Sequence, residues 1–359
     1  MAAAPPGRRR ANLFCLDAGL AFIGEELEPK RSVRICIDGG VIASIEHGRD
    51  SDIVVTPGFV NAHIHVLDYG LAGLASRARD PRELLEWPNG LKARGIRLAY
   101  CRVVSSLPRL FRRLRRSGYA LVVSFVEGGG TLCRLVKSVA RENGIHLLAY
   151  GRGEPSELEG CDGLGAPTLL GGWARIAREA ASKGLRVAAH ISETVEQALQ
   201  DDYLAALSLR LDHAVHLTHA PCRIHETLAE AGVLPVYAPL ANLIHWSTEP
   251  EPCAPRYALG GDNAGWCPQS PWELMRWVVY RERRRLGLRS AVERALRALT
   301  TWPLEKFMGI RGIVEGEKPV LTVLHAPEIV HAIDPLAALV LIGDSSMVVD
   351  VLAHFEAYG

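Results

Sequence analysis

From about residue 106 the chain repeats one unit: an amphipathic helix, a glycine that stops it, and a short apolar strand. Residues 106–118 carry Leu107, Leu110, Phe111 and Leu114 at offsets 0, 3, 4 and 7, and Gly118 ends the pattern. Residues 120–126 then run almost without a polar side chain. Thr131 is placed to cap a second helix through Leu132, Leu135, Val136 and Val139, which Asn143-Gly144 stops before a strand at 146–150. The rhythm continues with helices predicted at 172–182, 193–207 and 224–231 and strands at 185–189, 214–217 and 233–238. A last strand at 257–259 leads into Gly260-Gly261-Asp262. Strands without a polar face are buried on both sides, and their alternation with helices means a parallel α/β sheet. Counting from residue 54 there are about eight, the fourth, around Asp162-Gly163-Leu164, being weak. Eight such units predict a TIM-type (β/α)8 barrel over 54–311.

The two ends read differently. Val33, Ile35 and Ile37 alternate with Arg34, Cys36 and Asp38, and Gly39-Gly40 is a turn before Val41 and Ile42. The tail turns β-like at 320–324, 338–342 and 347–352. Strands at both ends predict one small discontinuous sheet domain, from 1–53 and 312–359.

Charge and cysteine content exclude several functions. Lys plus Arg is 41 against 40 for Asp plus Glu, so there is no excess positive charge for a dedicated nucleic-acid binder. The run Arg109, Arg112, Arg113, Arg115, Arg116 reads as the solvated face of a helix. No apolar run approaches the roughly 20 residues that cross a bilayer, and no apolar core follows the Pro-Pro and Arg run in residues 1–10, so no membrane span and no secretory signal are expected. No two of the eight cysteines are spaced C-x-x-C. The expectation is a reduced, cytoplasmic chain whose cysteines pack as small hydrophobes.

Chemistry gathers at strand ends. His63 and His65 close the first barrel strand, and residues i and i+2 of a strand face one side. His190 ends the strand at 186–189, His216 lies in the sixth, and Asp262 ends the eighth. In this barrel type such positions face the active site. Imidazoles with a carboxylate suit Zn²⁺, Fe²⁺ or Mn²⁺. No Walker loop, G-x-G-x-x-G, G-x-S-x-G or H-E-x-x-H is present, nor the H-x-E with P-C-x-x-C of the other zinc-deaminase class.

Thr56-Pro57-Gly58-Phe59-Val60-Asn61-Ala62-His63-Ile64-His65 resembles the opening motif of the metal-dependent amidohydrolase superfamily. Ala189-His190-Ile191-Ser192-Glu193-Thr194 resembles the fifth-strand motif of its cytosine-deaminase and chlorohydrolase-like branch. His216-Leu217-Thr218-His219 and Gly260-Gly261-Asp262-Asn263-Ala264 resemble its sixth and eighth motifs, and Pro239-Leu240-Ala241-Asn242 its Pro-x-Ser-Asn element. The resemblance covers roughly residues 30–310, and the sheet fed by both ends matches the family's composite β-sandwich. It implies metal ligands His63, His65, His190 and Asp262, with His216 and Glu193 catalytic and Asp262 also moving a proton. It implies one divalent ion per chain, Zn²⁺ first with Fe²⁺ or Mn²⁺ as alternatives, because no lysine near 162–170 offers a bridge for two.

Two departures stand out: Gly261 replaces a usual Thr, and the span from Asn242 to Asp262 is short. Glu127 either contacts substrate or caps the helix at Thr131. Arg152 is a candidate substrate anchor, and His219 either touches substrate or bonds backbone. Residues 84–92, with Trp87, form a lid or simply pack on the rim. His213 reads as structural, and His47, His245, His325, His331 and His354 as surface or satisfied residues. The activity implied is hydrolytic deamination of an N-heterocycle, a small molecule. The alternatives are a cyclic-amide hydrolase of imidazolonepropionase type and a non-catalytic binding barrel. A homo-oligomer is compatible with all three.

Overall fold

The computed structural model describes residues 13–353; the Arg-rich start and His354 lie outside the described residues. One sheet holds β1 (Phe14–Ile23), β2 (Glu28–Asp38), β3 (Val41–His47) and β4 (Ile53–Pro57) from the start of the chain. The second is parallel: β5 (Phe59–His65), β6 (Tyr119–Val126), β7 (His146–Gly151), β8 (Gly163–Ala166), β9 (Arg186–Ile191), β10 (His213–His216), β11 (Leu234–Tyr237), β12 (Ala258–Leu259) and β13 (Asp262–Asn263). From the tail, β14 (Val320–His325) and β15 (Val348–Ala353) return to the first sheet, whose order is β15-β14-β4-β1-β2-β3.

The parallel sheet runs β12-β11-β10-β9-β8-β7-β6-β5-β13. Its nine strands reconcile with the eight expected, because β12 and β13 are separated only by Gly260-Gly261. The first half pairs with β11 and the second with β5, so the chain itself links the two edges. Val60, Val123, Phe125, Tyr150, Ala188, Val215 and Val236 form one apolar cluster with Leu304 and Phe307 of the helix Thr301–Met308. Flanking helices bury a single stripe; Tyr100–Arg116 turns Leu107, Leu110, Phe111 and Leu114 inward and leaves Arg109, Arg112, Arg113 and Arg116 on its outer side.

Four expectations need correction. Ile53–Pro57 pairs with β1 and β14, so it belongs to the six-stranded sheet. The apolar run at 338–342 is helical, within Pro335–Ile342, because Asp334 caps Ala337 N–H and Pro335 starts the turn. An all-apolar run has no period to separate helix from strand. The second helix, Gly130–Glu142, has Gly129 and not Thr131 at its cap. Finally, the cysteines are not scattered: Cys15–Cys36, Cys133–Cys161 and Cys222–Cys253 are disulfides, leaving Cys101 and Cys267 free. The pairs are 21 to 31 residues apart in sequence, and spacing alone does not reveal them. Among the described residues no helix is long and apolar enough to cross a membrane.

Candidate active site

Strand register brings the candidate ligands to one level. Asp262 pairs with Ile64, between His63 and His65, and His190 pairs with Val215, one residue before His216. One ring nitrogen from each of His63, His65 and His190 lies within 4.8 Å of the others, and His63, His216 and Asp262 converge in the same way. Asp262 Oδ1 lies 3.5 Å from His63 Nε2 and 3.4 Å from His65 Nε2. Yet both His63 nitrogens, His190 Nε2 and Asp262 Oδ1 are buried without a hydrogen-bond partner. Buried polar atoms are normally paired, so orphans on residues that each offer one atom to a common space fit a divalent ion. Burial pushes the His63 imidazole down to about 3 and His190 well below its ordinary range, so both present lone pairs. Burial alone would raise the Asp262 carboxyl, but the neighbouring His63 and His65 hold it well below the carboxylate range.

Ser192, His216, Leu217 and Asp262 all adopt positive φ, between 46° and 75°, although none is glycine. Such conformations carry strain, and here they cluster at the ends of β9, β10 and the broken last strand.

Beneath the site, Phe125 stacks on His190 with ring centroids 5.1 Å apart and meets His63 edge-on at 4.8 Å. This explains the weak fourth strand. A side chain at Gly165 would stand 2.9 Å from the Phe125 ring, so β8 yields its space to that ring. Gly261 has a similar cause. Gln269 donates to the carbonyls of Gly261 and Cys267 and accepts from Asn61 Nδ2, and a Cβ on Gly261 would meet its Oε1 at 2.1 Å. The glutamine fills the room a Thr at 261 would need.

Two sets of residues flank the ligands. On the β5 side, Glu127 Oε1 lies 2.5 Å from His65 Nδ1 and 2.7 Å from Lys92 Nζ. Lys92 also lies 3.1 Å from Asp68 Oδ2, which accepts from Asn263 Nδ2 at 2.7 Å. Glu127 therefore caps no helix; despite burial, Lys92 and His65 hold its carboxyl well below the usual range. Burial raises the Asp68 carboxyl. On the opposite side, Glu193 Oε2 stands 3.6 Å from His216 Nε2 and 4.0 Å from His190 Nδ1. Glu193 Oε1 accepts from Trp246 Nε1 at 3.0 Å, and His216 Nδ1 bonds Asn242 Oδ1 at 3.2 Å.

The other candidates divide. Arg152 is buried, its guanidinium lying over the Trp87 ring at 4.7 Å, so the predicted anchor and the predicted lid residue meet. Its Nε has no partner. His219 is part-exposed, and its backbone N–H donates to Ser192 O. His213 bonds Asp212 and packs on Tyr150 and Phe307, a structural role. His245, expected at the surface or satisfied, is buried and accepts from Trp266 Nε1 at 2.9 Å. Sequence reading missed Asp68, Lys92, Phe125 and Trp246. None lies in a motif, and a lysine or tryptophan on a short helix carries no periodic signal of its own.

No protein-family model matches the chain, and no curated protein matches it. Solved structures do. A triazine hydrolase variant aligns over 95% of this chain and 93% of its own at 13% identity, with a TM-score of 0.75. Guanine deaminase from Bradyrhizobium japonicum covers 95% and 98% at 13% identity and 0.73. A mutant atrazine chlorohydrolase from Arthrobacter aurescens, complexed with zinc and atraton, covers 94% and 92% at 14% identity and 0.71. At such identities the likeness shows a shared fold, and at that level the resemblance read from the motifs is borne out.

Proposed function

We propose that the protein is a metal-dependent hydrolase of amidohydrolase type, acting on a non-peptide C–N bond and deaminating an N-heterocycle with water. The convergence of His63, His65, His190 and Asp262, with unpartnered buried atoms on His63, His190 and Asp262 and with Glu193 and His216 beside them, carries this reading. The fold neighbours support it, being named for triazine, guanine and atrazine chemistry. One divalent ion, zinc first, would be held by His63, His65, His190 and Asp262. When bound it supplies Lewis acidity and makes a water acidic enough to ionise near neutral pH.

The chain's own groups move the protons. The Asp262 carboxylate, beside His63 and His65, takes a proton from the attacking water and passes it to the amino nitrogen, which leaves as ammonia. His216 donates Nδ1–H to Asn242, so its Nε2 faces the site and accepts from the O–H of the attacking water, orienting it. Glu193 Oε1 is engaged by Trp246, which leaves Oε2 to deliver a proton to the ring nitrogen as the carbon is attacked. Arg152, buried and held by Trp87, anchors an acceptor oxygen of the substrate, with His219 at the rim. Glu127 orients His65 in place of touching substrate.

A small β-sandwich domain from 1–53 and 312–359 belongs to the same proposal. The sheet joining β1–β4 to β14 and β15 supports it and moves its first boundary towards Gly58. A cytoplasmic location belongs to the same proposal, although disulfides are rare in reducing compartments. Incubation of zinc-loaded protein with aminopurines, aminopyrimidines and aminotriazines should release ammonia from at least one. Ring opening without ammonia makes it a cyclic-amide hydrolase, and no turnover of either kind removes the catalytic reading.

A further inference from the structure

Lys92 lies on the helix Leu91–Leu98, in the long insert between β5 and the first barrel helix. Nothing in the barrel motifs requires a cation there. Its side chain is 7% exposed and ends between two fully buried carboxylates, 2.7 Å from Glu127 and 3.1 Å from Asp68. Each carboxylate leads to a different candidate ligand strand. Glu127 touches His65 Nδ1 on β5, and Asp68 accepts from Asn263, the neighbour of Asp262 on β13.

We propose that Lys92 is a positioning residue for the metal centre: it docks the insert on the barrel mouth and holds Glu127 and Asp68 together behind His65 and Asp262. The proposal rests on the metal-site reading above. Two buried carboxylates this close to one ammonium repel each other and lose hydration, so without the cation their present arrangement is not held. A carboxylate that accepts from His65 Nδ1–H leaves Nε2 as the lone-pair nitrogen aimed at the converging donors. If Glu127 shifts, the ring loses both its tautomer and its orientation. The insert is then part of the ligand scaffold as well as a cover.

The test measures zinc affinity by chelator competition, and the thermal midpoint of the metal-free chain, for the wild type, Lys92→Met and Lys92→Met/Asp68→Asn. The single variant should bind zinc about 10–100-fold more weakly. It also leaves an extra buried negative charge, so its midpoint should fall. The double variant removes that charge, while the amide oxygen placed at position 68 still accepts from Asn263. Its midpoint should recover, yet its zinc affinity should stay at least about tenfold below the wild type. Wild-type affinity in the double variant, or in a single variant that folds, overturns the proposal and makes Lys92 a structural charge alone. A wild-type chain that binds no zinc overturns the metal-site reading and this inference with it.

Discussion

The two flanks of the candidate metal site are built on different principles. On the β5 side, His65, Glu127, Lys92, Asp68 and Asn263 are all buried and joined at 2.5–3.1 Å. On the β9–β10 side, Glu193 keeps 14% of its side chain exposed and stands 3.6–4.0 Å from His216 and His190, with Trp246 as its close partner. The first flank is a charged scaffold already locked. The second has slack where a proton has to move. Fixed charges hold ligands without reorganisation, whereas an acid that delivers a proton needs room to meet its substrate.

Removing a candidate ligand that both flanks hold in place should have the largest effect. His63→Ala or His190→Ala should lose the ion and all turnover, while the wild type carries about one divalent ion per chain by elemental analysis. Two tightly held ions in the wild type would refute the single-site assignment. On the other flank, metal content and rate should separate. His216→Asn should keep near-normal metal and lose roughly 10²–10⁴ in rate; loss of metal with activity would make His216 a ligand. Glu193→Gln keeps shape and a hydrogen bond but cannot give up a proton, so ammonia release should fall by ~10² or more with metal intact. Retention of most activity would remove Glu193 from the mechanism.

Two smaller effects sharpen the contrast. Trp246→Phe removes one hydrogen bond to the Glu193 carboxyl, about 1.5 kcal/mol, so kcat should fall roughly tenfold at unchanged metal affinity. A drop in metal affinity instead would show that the flanks are mechanically one. Cys222→Ser with Cys253→Ser opens a staple spanning 31 residues behind the second flank. Denaturant unfolding should then register a loss of about 2–4 kcal/mol, while the rate on saturating substrate stays within a few-fold. A large rate loss at preserved stability would make that disulfide part of the catalytic geometry.

The site was legible in the sequence wherever local geometry carries the information. In a strand i and i+2 share a face, so His63 and His65 could be read as one pair, and the helix–Gly–strand rhythm turned strand ends into a common rim. That reasoning reached every candidate ligand together with His216, and the resemblance of the fifth-strand motif added Glu193. It failed where the local pattern was silent. The run at 338–342 had no period, and Ile53–Pro57 looked like barrel because an apolar strand does not name its partner. Glu127 left two roles open because the choice depended on Lys92, far from it in the chain.

The sequence by itself therefore determined the α/β alternation and the level of the rim, with candidate donors at the strand ends, since each follows from residue period and side-chain chemistry. Only the tertiary structure decided that Lys92 and Asp68 are buried against Glu127, that Trp246 holds Glu193, and that six cysteines pair. A lysine in a polar insert is solvated unless another segment covers it, and whether one does depends on packing between residues far apart in the chain.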